Sequence, residues 1–181
     1  RATSGAGALP VGRIAGRDQE VDGGQNPFVV EALKENLNDV ARYYHSRAQR
    51  DEASAEARKI AFDQAGRYYR RFIEIFPDDP AAPEMHTLLA DTLYDRGQYQ
   101  IAAEEYSNAA YDYPPHTRAA AAGYGAVDSY HKWADEQVPE QRGEATLLAV
   151  DAARRFADNF ATHPQTPRVL TRAAEDLYDL G

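Results

Sequence analysis

The sequence predicts an all-α fold, an α-solenoid in which helical hairpins stack into an α–α superhelix, and three observations carry that expectation. From position 28 onward apolar residues recur every three or four positions, the period of one helix face. A small residue, an aromatic four positions on and a proline beyond them occur together three times. The segments upstream of these runs resemble one another as well.

Residues 1 to 26 are rich in Gly, Ala and Arg without a sustained apolar period, and read as a flexible lead-in or linker. Asn26-Pro27 has the form of a helix start: Asn accepts from first-turn amides, and Pro tolerates the first helical position. Val30, Leu33, Leu37, Val40, Ala41 and Tyr44 then share one face. The stripe lapses between Arg50 and Ala57, and a second helix runs from about Ala57 to Phe76, where Pro77 stops it.

Ala65, Tyr69, Phe72, Ile73 and Phe76 precede Pro77. Ala102, Tyr106, Ala109, Ala110 and Tyr113 precede Pro114, and Ala152, Phe156, Asn159, Phe160 and His163 precede Pro164. On the upstream helices, Leu89-Ala90-Asp91-Thr92-Leu93-Tyr94-Asp95-Arg96-Gly97 matches Ala173-Ala174-Glu175-Asp176-Leu177-Tyr178-Asp179-Leu180-Gly181, with a looser copy from Gly125 to Tyr130. The prolines are spaced 37 and then 50 residues apart, and the extra length is assigned to a polar turn from Gln137 to Gly143. Hairpins are expected over about 27–76, 80–114 and 117–163, with a half unit over 165–181 and turns near 50–56, 96–98 and 135–143. Such a unit cannot bury its apolar face alone, so neighbours must stack. Because Gly181 falls where Gly97 lies, the native protein is expected to continue past Gly181 into at least one more helix, covering Leu170, Ala174 and Leu177.

Residues 83 to 116, from Pro83-Glu84-Met85-His86-Thr87-Leu88-Leu89-Ala90 through Gly97-Gln98-Tyr99, Ala102, Tyr106, Ala109 and Pro114, resemble one tetratricopeptide repeat (TPR) of standard length. Tyr68 to Pro80, followed by the Ala-Asp-x-Leu-Tyr-Asp-x-Gly turn, is similar to repeats of bacterial periplasmic and outer-membrane lipoprotein TPR domains of the BamD and YbgF type. The resemblance covers roughly residues 57 to 181. It implies a protein or peptide partner, a role in bacterial cell-envelope assembly, and a periplasmic or outer-membrane-associated location, with a cytoplasmic one as the alternative.

Twenty Lys and Arg stand against 29 Asp and Glu, a net charge of −9, and no basic stripe tracks a phosphate backbone, so nucleic acid is not an expected partner. Apolar runs end well short of the ~20 residues a membrane-spanning helix needs. The chain begins with Arg1, which leaves open a leader or lipid anchor upstream. Without Cys there is no disulfide framework, thiol nucleophile or thiolate metal site.

His45, His86, His116, His131 and His163 form no His-Glu-x-x-His arrangement, and only His131 with Asp135 has helical spacing to a carboxylate. No metal site, cofactor or catalytic residue is assigned. His163 is expected in the helix-end place of Phe76 and Tyr113; Glu74, Glu104 and Glu105 are read as solvated charges. No Gly-rich phosphate loop follows a strand, and Ser54, Ser107 and Ser129 lack a nucleophile-elbow context.

Among the twelve Tyr residues, Tyr69, Tyr99 and Tyr106 read as packing residues. Tyr94, Tyr130 and Tyr178 recur on the first helices, where the resemblance implies a concave, partner-binding groove. It implies further that Glu84, Thr87, Leu88, Asp91 and Asp95 share that surface and that Tyr124, Val127, Arg172, Glu175 and Asp179 continue it. Tyr beside carboxylates suits a peptide carrying basic residues. The simpler alternative is a solvated face on which Tyr covers the hairpin. The functional expectation is a non-catalytic scaffold; the rival is a helical accessory domain of a larger envelope polysaccharide or peptidoglycan enzyme.

Overall fold

The computed structural model describes residues 26–50 and 54–181; the lead-in expected over residues 1 to 25, and residues 51–53 of the expected first turn, lie outside them. The described residues form seven helices and no strand: α1 (Pro27–Ala48), α2 (Ala55–Ile75), α3 (Ala82–Asp95), α4 (Tyr99–Tyr111), α5 (Ala119–Asp135), α6 (Pro139–Asn159) and α7 (Thr166–Leu180). No helix among them is long and apolar enough to cross a membrane. Local chemistry sets several boundaries. Asn26 accepts the Phe28 N–H at 3.0 Å, and the Ser54 hydroxyl accepts the Ala57 N–H at 3.2 Å, so each satisfies a first-turn amide that has no helical acceptor. Between α3 and α4 the turn needs a left-handed residue, which Gly97 supplies at φ 71°.

All substantial helix packing is between sequence neighbours, α1 on α2, α2 on α3 and so on to α7. One core joins Leu37 and Ala41 of α1, Tyr69 and Phe72 of α2, Met85, Leu89 and Leu93 of α3, and Ala102 of α4. A second joins Val127, Ala153, Phe156, Val169 and Ala173 across α5, α6 and α7. Ala109, Ala110 and Ala122 pack between them, where α4 meets α5. The approach there is close: a Cβ on Gly125 would lie 3.1 Å from the Tyr106 ring, and one on Gly123 2.9 Å from the Tyr111 hydroxyl. The two glycines thus give α4 aromatics a flat surface to lie on.

Three expectations are corrected. The polar stretch 137–143 is not a long turn, because α6 begins at Pro139 and only residues 136–138 separate it from α5. Pro139 sits in the first helical turn, where its missing N–H costs nothing, so it starts a helix. The added length lies in the helices, 17 and 21 residues for α5 and α6 against 14 and 13 for α3 and α4.

The third small–aromatic–proline copy is displaced by three residues. Phe76 and Phe160 both cap their helices, at φ/ψ of −128°/56° and −130°/48°, with N–H groups donating to the Phe72 and Phe156 carbonyls. Phe156 therefore matches Phe72, and Pro164 matches Pro80. His163 takes the place of Asp79: their side chains accept the N–H groups of Gln165 and Ala81, respectively. Ala145, Ala149 and Ala153 form the buried small-residue face, whereas Ala152 is half-buried and Asn159 exposed. Pro77 and Pro80 lie three residues apart, so either could anchor the alignment.

On α5 the match is shifted by one residue. Thr92 and Ser129 each donate a hydroxyl to the carbonyl four residues back, of Leu88 and Gly125. Ala126 consequently corresponds to Leu89, and His131 rather than Tyr130 corresponds to Tyr94.

Candidate functional site

The first helices of successive hairpins are joined by polar side chains. From α1, Gln49 Nε2 donates to Asp95 at 3.5 Å, and Arg42 meets Glu84 at 3.0 Å. Glu84 Oε1 also accepts from Arg118, immediately before α5, at 3.1 Å. Tyr94 on α3 donates its hydroxyl to Asp128 on α5 at 2.6 Å, and His131 on α5 lies 2.9 Å from Asp176 on α7. Burial, then the bond to Asp128, pushes the Tyr94 phenol well above its ordinary value, so it stays a neutral donor. Its ring meets Tyr99 edge-on at 5.1 Å, and the Lys132 ammonium lies 5.8 and 5.9 Å from the two ring centres.

Against this geometry the expected groove residues divide. Glu84, Asp91, Tyr94 and Asp95 do share α3, but Asp91 accepts from Tyr106 at 2.5 Å, and burial together with Asp91 raises the Tyr106 phenol strongly. Asp91 and Tyr94 are thus committed to internal hydrogen bonds. Thr87 and Val127 are buried; Thr87 donates to the Pro83 carbonyl, and Val127 packs in the second core, so neither offers surface in this conformation. Leu88 rests partly buried on the first core, and Tyr124 lies edge-on to Phe156 at 6.1 Å. Tyr130 lines a different trough, between α4 and α6, with Ser107, Leu148, Arg154 and Arg155. Asp95 is exposed on α3, and Arg172, Glu175, Tyr178 and Asp179 are exposed on α7, with Arg172 3.8 Å from Asp135. Sequence reasoning missed Gln49, Asp128, His131 and Lys132, and a strict 37-residue register from Asp91 and Tyr94 would have pointed to Asp128 and His131.

No family model matches the chain. No curated protein matches its sequence either. The site is therefore read from its own geometry.

Each histidine has a structural partner. His45 Nδ1 lies 3.3 Å from the Tyr69 hydroxyl, His86 Nδ1 2.6 Å from Glu105, and His116 Nε2 2.8 Å from the Ala109 carbonyl. Glu105 is thereby half-buried against α3 instead of solvated. Burial holds His45 below its usual value and pushes Tyr69 up to about 12. Among the described residues no group of three His, Cys, Asp or Glu is placed to hold a metal ion. Charge is unevenly spread: residues 27–76 carry nine Lys and Arg against eight Asp and Glu, and residues 77–181 eight against eighteen.

Proposed function

We propose that the chain is a TPR-type solenoid that works as a non-catalytic scaffold, binding a basic segment of a partner protein along the acidic side of α3 and α5, in bacterial envelope assembly. The observation that carries this reading is the charge imbalance of residues 77–181, with Asp95 and Asp135 exposed along that row. An acidic surface attracts basic partners and disfavours anionic ones. The histidines, tied into helix packing, suit a holding role better than proton transfer. The envelope assignment rests on the sequence resemblance alone.

A photo-crosslinking residue placed at Asp95 or at Asp135 tests the reading, with Arg71 on the exposed side of α2 as the control position. One protein captured from both acidic positions and not from Arg71 is the expected result. Its affinity for the purified chain then falls with added salt and with Asp95→Asn. Equal capture from Arg71 removes the surface assignment; capture of another part of the same polypeptide favours the accessory-domain reading.

A further inference from the structure

Lys132 has three carboxylates at the spacings where a helical lysine pairs: Asp128 four positions before it, Asp135 and Glu136 three and four after. It is bonded to none of them among the described residues. Asp128 accepts the Tyr94 hydroxyl at 2.6 Å, and Asp135 lies 3.8 Å from Arg172. The Lys132 ammonium stands instead over the Tyr94 and Tyr99 rings, 5.8 and 5.9 Å from their centres and within the ~6 Å reach of a cation–π attraction.

The two rings meet edge-on at 5.1 Å, so both act on one cation. Burial first, then Asp128 and Asp95, raise the Tyr94 phenol, which sets both carboxylates beside the rings. Two rings and two carboxylates make a cup for an ammonium or guanidinium group, and Lys132 fills it. Its hold is small: Lys132 is exposed, and an exposed cation–π contact shifts an equilibrium by only about two- to fivefold. On leaving, it has Asp135 and Glu136 within reach on its own helix. We propose that the Tyr94–Tyr99 cup seats a basic side chain of the partner segment, and that Lys132 is a built-in competitor displaced when that segment binds. The proposal rests on the reading of α3 and α5 as the face for a basic segment. It gives that face one place for a lysine or arginine in addition to diffuse negative charge.

Hexalysine serves as the probe. The chain has three lysines, Lys34, Lys59 and Lys132, so NMR of protein labelled at the lysine ε-carbons resolves each. The Lys132 ε-methylene protons, identified by their loss in Lys132→Gln, should resonate upfield of those of Lys59 because of the Tyr ring currents. Unlabelled hexalysine should move them towards the position of a free lysine, while Lys34, held by Asp79 and Phe76, stays in place. Arg172→Gln deletes an exposed positive charge outside the cup and measures the effect of net charge alone. Lys132→Gln should bind hexalysine about two- to fivefold more tightly than Arg172→Gln does, and Tyr99→Leu should remove that gain. Equal binding by the Lys132 and Arg172 variants overturns the proposal, as does a Lys132 signal at the free position before the probe is added. Hexalysine that binds and leaves Lys132 unmoved overturns the competitor while the basic-segment reading stands; hexalysine that does not bind overturns both.

Discussion

Helices α3 and α7 end in closely similar sequences and meet different fates. Leu89 through Gly97 and Ala173 through Gly181 share Ala, a carboxylate, Leu-Tyr-Asp and a terminal Gly at matching positions. Both are helical, and both glycines have positive φ, 71° and 91°. Yet Leu93 is 1% exposed and Leu177 49%, and Tyr94 bonds to Asp128 while Tyr178 is 86% exposed. Similar sequence yields the same backbone; what it does not carry is the neighbour. For α3, α4 supplies part of the cover and α5 the carboxylate that Tyr94 bonds to, and both lie further along the chain.

The largest effect expected from this contrast is at the paired leucines. Leu93→Ala should destabilise the fold by about 2–5 kcal/mol, since a filled core site is left as a cavity, whereas Leu177→Ala should cost less than about 1 kcal/mol. Urea unfolding of the two variants checks this; equal losses would mean that α7 is covered in solution. A smaller difference is expected at the paired tyrosines. Tyr94→Phe strips a half-buried Asp128 of its donor and should cost about 1–2 kcal/mol, against under ~0.5 kcal/mol for Tyr178→Phe. Similar costs for both would show that the bond to Asp128 contributes little.

The smallest effect concerns the buried His45 of α1. His45 is held below its ordinary value by burial, so the folded state prefers it neutral while the unfolded chain takes up a proton near pH 6.5. Its contribution is present above that pH and is lost as pH falls through the depressed folded value. Asp91 and Asp95 oppose the depression, and Arg42 adds to it. Unfolding measured from pH 7.5 to 5 should show stability falling more steeply for the parent chain than for His45→Gln. Parallel curves would place the acid sensitivity elsewhere.

How far the sequence could be read depended on the range of each interaction. Asn26 capping α1 and Gly97 turning the chain are decided within four residues, and both were legible. The Pro139 helix start was also local, but was obscured by a polar stretch that suited a turn equally well. Register in the third unit was misread because Pro77 and Pro80 both precede α3, and it is the caps at Phe76 and Phe160 and the contacts of Asp79 and His163 that distinguish them.

By itself the sequence determined the all-helical character, the turn at Gly97 and the acidic balance, because helix period, caps and charge count are properties of short windows. The tertiary structure alone decided which polar groups meet: Tyr94 with Asp128, Tyr106 with Asp91, His131 with Asp176. Those partners lie 15 to 45 residues apart. Whether such a carboxylate faces water or is bonded within the fold depends on how one helix is rotated against the next. A one-residue shift turns a helix by about 100°, which replaces Tyr130 with His131 at the position matching Tyr94 and moves Tyr130 into another trough.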